Sequence, residues 1–107
     1  MSGFSQGEVR VWVQAQGSAR QLVTVVSSDL TGEYGRPLVV PVVGRWADLY
    51  PYVVPLADGD PVDGSVVVGM LRYVEREWLG ETVGRLTGAS LHLILDAVFE
   101  LLAPEAQ

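Results

Sequence analysis

The chain has 107 residues, 49% of them apolar, with thirteen carboxylates against seven basic residues and a net charge of −6. That length bounds it to a single domain with a modest core, and the charge repels a polyanion at long range, which disfavours nucleic acid as a partner. There is no cysteine, which excludes a disulfide framework and a thiolate metal site and suits a reducing cytoplasm.

No run approaches the ~18 consecutive apolar residues of a membrane span. The apolar surplus is therefore expected in a core or at an interface, and a homodimer is the expected state. The opening MetSerGlyPheSerGlnGly has neither the basic nor the apolar region of a secretory signal, so the expected location is the cytoplasm.

Glu8 to Gln14 alternates, with Val9, Val11 and Val13 on one side and Arg10, Trp12 and Gln14 on the other, which predicts a strand with one buried face. Two β-branched runs, Leu22 to Val26 and Leu38 to Val43, predict a buried central hairpin whose loop, Ser27 to Pro37, could carry function. Tyr52 to Leu56 reads as an edge strand, because Pro55 has no N–H to give a ladder. Residues 57 to 64, AlaAspGlyAspProValAspGly, form the clearest turn. Ser65 to Val74 reads as the next strand, with Val66 to Val68 buried on both faces, and a short extended piece follows around Thr82 to Leu86. Trp78 and Leu79 beside Gly80 read as a turn packed on the core. Thr87 is placed to cap a helix over Ser90 to Ala103, ended by Pro104. Its apolar stripe is Leu91, Ile94, Leu95, Val98, Leu101 and Leu102. His92, Asp96 and Phe99 lie on the other side.

Few residues invite chemistry. Asp58, Asp60 and Asp63 crowd one turn, but a calcium loop counted from Asp58 would need a glycine where Asp63 stands and a glutamate where Gly69 stands. A solvated turn is expected, and no metal site. The lone histidine, His92, has no second ligand or nucleophile beside it in sequence. Ser27 and Ser28 before Asp29 read as a turn ending a strand, since no Gly-x-Ser-x-Gly accompanies them. No phosphate-cradling glycine loop is present, and no cofactor is expected.

The run SerAspLeuThrGlyGluTyrGlyArgProLeuValValProValVal, residues 28 to 43, and GlyGluThrValGlyArgLeuThr, residues 80 to 87, resemble two motifs of the CcdB toxins, within the superfamily that also holds MazF (PemK, Kid). The resemblance covers roughly residues 9 to 103. It implies a mainly β domain with a C-terminal helix: an SH3-like barrel, a small accessory sheet, and a homodimer held by a cognate antitoxin. On the CcdB side it implies a toxin without catalysis that binds DNA gyrase A, a topoisomerase component, through the end of the last helix. There Phe99, Leu102, Ala103 and Pro104 are the expected target-binding residues, although Ala103, Pro104 and Glu105 replace the Trp-Gly-Ile of that family. On the MazF side it implies an endoribonuclease. Arg20 and Arg72 match that pocket's two arginines, while Val43 or Gly44 stands at its hydroxyl and Gly69 and Met70 at its Asp-Gln. None of those four moves a proton at neutral pH, so the expectation is a protein that does not cut RNA. A family member that has lost its toxicity is the third reading.

Overall fold

The fold was analysed in a computed structural model, which describes residues 4–13, 21–28, 35–44 and 52–102. Among the described residues, seven strands, β1 (Glu8–Trp12), β2 (Leu22–Val25), β3 (Leu38–Val43), β4 (Val53–Pro55), β5 (Ser65–Val67), β6 (Arg72–Tyr73) and β7 (Leu79–Arg85), precede one α-helix, α1 (Gly88–Leu102). All strand pairings are antiparallel. The order across the sheet is β4-β5-β3-β2-β1-β7, with β6 also on β3. This is a mainly β fold with a C-terminal helix, as the sequence led one to expect.

The hairpin β2–β3 lies at the centre of the sheet, and both of its faces are covered. Val26 and Val40 pack with Val9, Val54, Val66, Val68, Leu86 and Ile94 under α1. Val23, Val25 and Val39 pack on the opposite face with Phe4 and Val74, against Trp12, Trp78 and Leu79. A strand buried on both sides has no polar alternation, which is why these runs are continuously β-branched. β1 departs from the expected pattern for the same reason. Val9 is buried as expected, but Val13 is exposed and Trp12, placed by alternation on the polar side, packs into the second cluster.

The expected strand over Ser65 to Val74 is interrupted. β5 pairs Ser65 and Val66 with Val43 and Val42, β6 pairs Arg72 and Tyr73 with Val39 and Leu38, and between them the chain bows out in a 3-10 turn, Val68–Met70. Pro41 is the physical reason. Leu38 accepts from the Val26 N–H, and Pro37 accepts from the Val74 N–H. By the alternation of a ladder, Val39, Pro41 and Val43 therefore turn their backbone groups toward β5 and β6. Proline has no N–H to offer there, so the break falls opposite the residue that cannot pair. Val66, Val67 and Val68 are nevertheless all buried.

Among the described residues β4 pairs only with β5, at the edge of the sheet, and Pro55 sits in it. Gly64 closes the turn between β4 and β5 with φ +126°, and a Cβ there would lie 2.5 Å from the Val43 carbonyl oxygen. Only glycine fits both the angle and the approach.

Candidate functional site

The acidic turn is a clamp as well as a turn. Asp58 and Asp63 are exposed, whereas the Asp60 carboxylate accepts from the Ala57 N–H, the Thr87 N–H and the Ser90 hydroxyl. Burial acts to raise the Asp60 pKa, but the hydrogen bonds from Ser90, Thr87 and Ala57 outweigh it and hold the carboxyl below its ordinary value. The Thr87 hydroxyl in turn accepts from the Ser90 N–H at 3.2 Å, which is the N-cap that the sequence pointed to. Thr87→Ala is expected to cost about 1 kcal/mol, read as a lower urea midpoint at unchanged slope. Among the described residues, no group of three or more His, Cys, Asp and Glu side chains is placed to hold a metal ion.

The residues expected to bind a target split into two groups. Phe99 is 75% exposed and Leu102 is 66% exposed; Leu102 therefore does not join the buried stripe it was assigned to, while Leu101 packs on the core. Ala103 and Pro104 lie outside the described residues. His92 shares this outer face and meets Asp96 at 3.4 Å. It is a surface histidine with a neighbouring carboxylate.

Ser27 accepts the Leu38 N–H through its hydroxyl at 3.1 Å, so it ends the strand as expected rather than standing ready as a nucleophile. Glu8 and Arg10 pair at 3.2 Å, with Arg10 also donating to the Gly80 carbonyl. Arg36 meets Glu75 at 3.2 Å, Arg76 donates to the Gly35 carbonyl, and Arg85 donates to the Gln6 carbonyl. Arg76 also lies over the Phe4 ring at 5.1 Å.

Arg72 differs from these four. It is exposed on β6, and its guanidinium carbon stands 4.9 Å from the centre of the Trp12 ring. Among the described residues no carboxylate pairs with it. Trp12 is stacked on Trp78, with ring centres 6.5 Å apart and 13° between planes, while its indole N–H is buried and finds no partner among the described residues. Packing, rather than a hydrogen bond, therefore holds the Trp12 ring. Sequence reading found Arg72 but missed the two tryptophans, because residues 12, 72 and 78 are joined only by the fold.

Trp12 stands near one end of the sheet, whereas Arg72 enters it opposite Val39 of β3 and reaches the Trp12 ring with its side chain. Val11, Leu22 and Val42 are in register across β1, β2 and β3, and the Trp12 backbone N–H donates to the Gln21 carbonyl. Val43 and Gly44 are here too, and neither offers a hydroxyl. Gly69 and Met70 are exposed in the 3-10 turn before Arg72. Arg20, the other arginine expected in the pocket, lies outside the described residues.

No protein-family model matches the chain, and no curated protein matches it. Its fold does match solved structures along nearly its whole length. An endoribonuclease in complex with its cognate antitoxin from mycobacterial species is 20% identical, with a TM-score of 0.81, covering 96% of this chain and 99% of that one. An endoribonuclease from mycobacterial species is 19% identical, with a TM-score of 0.79 and coverage of 95% and 93%. A MazE–MazF structure from Deinococcus radiodurans is 25% identical, with a TM-score of 0.75 and coverage of 94% and 96%.

The chain therefore has the fold of these endoribonuclease and MazE–MazF structures. Among the structures named, MazE–MazF is a MazF toxin with its antitoxin, and none of them supports the finer resemblance to CcdB. The expectation that the protein is not an enzyme is overturned by the same finding, since the chains it superposes on end to end are endoribonucleases. Val43, Gly44, Gly69 and Met70 carry no proton-moving group, but that does not exclude catalysis by other residues. Among the described residues, no helix is long and apolar enough to cross a membrane.

Proposed function

We propose that this protein is the toxin of a toxin–antitoxin pair and acts as an endoribonuclease on single-stranded RNA, restrained by a cognate antitoxin. The end-to-end likeness in fold to an endoribonuclease bound by its antitoxin carries the reading. RNA replaces DNA gyrase A as the expected target. Cleavage of a phosphodiester builds negative charge on the phosphate oxygens, and a guanidinium fixed beside them stabilises that charge. Arg72, exposed and without a carboxylate partner among the described residues, supplies such a group, and Arg20 is its expected companion. The proton transfers fall to residues other than Val43, Gly44, Gly69 and Met70, none of which can perform them.

Incubating the purified protein with a long single-stranded RNA tests this. Fragments are expected from the parent and not from an Arg20→Ala, Arg72→Ala double variant that melts at the same temperature. Intact RNA after prolonged incubation with folded parent would remove the assignment.

The apolar outer face of α1 supports the antitoxin half of the reading. Phe99 and Leu102 leave apolar area in water, which a bound partner would cover. Phe99→Ala is expected to leave the melting temperature within about 2 °C, because a mostly exposed ring carries little of the core, and to weaken antitoxin binding about tenfold or more by calorimetric titration. A Phe99→Ala protein that binds its antitoxin with parental affinity would take this face out of the interface.

A further inference from the structure

The outer face of α1 carries charge as well as apolar surface, and the charge has one sign. Asp96 and Glu100 are exposed beside Phe99 and Leu102. Asp96 lies one helical turn before both Phe99 and Glu100, so the ring and the two carboxylates are neighbours on the helix surface. The helix holds no Lys or Arg, and nothing basic stands in its last turn. A helix favours a cation at that end, and Glu100 puts an acid there instead. Among the described residues, the one ion pair on this face joins Asp96 to His92 at 3.4 Å.

That arrangement selects among the occupants an apolar face could take. RNA, an anionic lipid surface or an acidic peptide would bring negative charge against two carboxylates and the negative end of a helix dipole, in a chain whose net charge is −6. A second copy packed here about a two-fold axis would set two such helices together, with no Lys or Arg on either to offset four carboxylates. A cation, by contrast, gains from the carboxylates, from the helix end and from the open face of the Phe99 ring. The chain uses the last of these contacts internally, where the Arg76 guanidinium lies over the Phe4 ring at 5.1 Å.

We infer that the outer face of α1 takes a cationic amphipathic segment of a protein partner, whose Arg or Lys side chains reach Asp96 and Glu100 while its apolar side chains cover Phe99 and Leu102. The antitoxin is taken as the source of that segment from the function proposed above. The charge and the amphipathic pattern of the segment are not part of that reading, and they come from the four side chains of this face.

Two short synthetic helical peptides serve as probes, with the same leucine stripe and either arginine or glutamate at their polar positions. Binding is followed by fluorescence anisotropy at about pH 8, where imidazole carries no charge. The proteins are the parent, Phe99→Ala, a double Asp96→Asn, Glu100→Gln variant, and a double Asp58→Asn, Asp63→Asn variant that removes the same charge from the exposed acidic turn. Thermal melting confirms that all four are folded. The arginine peptide is expected to bind the parent and the glutamate peptide is not. Phe99→Ala should weaken the arginine peptide about tenfold or more. The Asp96, Glu100 variant should weaken it roughly 2- to 30-fold, the worth of two exposed ion pairs expressed as an affinity ratio, and should flatten its salt dependence. The Asp58, Asp63 variant should bind it as the parent does.

Equal binding of both peptides, or of neither, would overturn the inference. So would an equal loss in the two charge variants, which would make the attraction a matter of net charge rather than of this face. A parent that sediments as a dimer and a Phe99→Ala protein that sediments as a monomer would give the face to a second copy and overturn it too. The antitoxin reading fails separately. Arginine-peptide binding that needs Phe99, Asp96 and Glu100 supports the cationic segment even where Phe99→Ala binds the antitoxin with parental affinity, a result that would remove only the antitoxin as its source.

Discussion

Replacing Ile94 by alanine is expected to destabilise the protein by about 3 kcal/mol, a large part of the ~5–15 kcal/mol that holds a domain together. Ile94 is fully buried near the middle of α1. It is the helical residue at the heart of the cluster that joins Val9 of β1, Val54 of β4, Val66 of β5 and Leu86 after β7. Removing its branched end leaves a cavity between a helix and strands from opposite ends of the sheet, which cannot collapse without moving several elements. Ile94→Val, which deletes one methylene, should cost about 1 kcal/mol. Leu93→Ala on the neighbouring exposed position should fall within about 0.5 kcal/mol of the parent. Urea unfolding followed by far-ultraviolet dichroism measures all three. An Ile94→Ala loss no larger than that of Leu93→Ala would mean that α1 is not seated on the sheet as described.

The parts of the fold that could be read from sequence are those where one force dominates. The β2–β3 hairpin announced itself because a strand buried on two faces is uniformly β-branched, and α1 did so because its buried stripe repeats with a helical period and Thr87 stands at its cap. Reading failed where a residue answers to something far away in sequence. Trp12 sits on the side of β1 that alternation calls polar, yet it is covered by the Arg72 to Trp78 segment, sixty residues on. The break between β5 and β6 is caused by Pro41 on the facing strand, so nothing within Ser65 to Val74 shows it. Leu102 was placed on the buried stripe but is exposed, while Leu101 beside it takes the core contact.

The site was legible only in part, for a related reason. Arg72 could be singled out by its spacing within a motif, but what sets it apart among the described residues is an indole beneath it and no carboxylate paired with it, and both are properties of three-dimensional neighbours. The acidic turn illustrates the same point in reverse. Its three aspartates look alike in sequence, and only the fold separates Asp60, which meets the start of α1, from Asp58 and Asp63, which meet solvent.

Asp60→Ala is expected to cost about 2 kcal/mol at pH 7, since hydrogen bonds to a charged acceptor are worth about 1.5–3 kcal/mol and the substitution leaves the Thr87 N–H and the Ser90 hydroxyl without their acceptor. Ser90 is buried, so its hydroxyl has little water to turn to. The pH dependence follows from the direction of the carboxyl's shift. Burial opposes the charged form, but the bonds from Ser90, Thr87 and Ala57 outweigh it and lower the folded pKa below the reference value of 3.8. A carboxyl that binds its proton less readily when folded adds stability above its unfolded pKa, and that contribution fades as the pH falls through the folded value. The difference in stability between parent and Asp60→Ala should therefore stay constant from pH 7 to about pH 5 and shrink below about pH 4. Asp60→Asn keeps one acceptor oxygen and should fall between the two at pH 7, with no acid-dependent component of its own. Urea midpoints of the three proteins at several pH values between 7 and 3 provide the measurement. A gap that widens toward acid would reverse the sign of the shift, and no gap at pH 7 would show that the turn does not hold the helix.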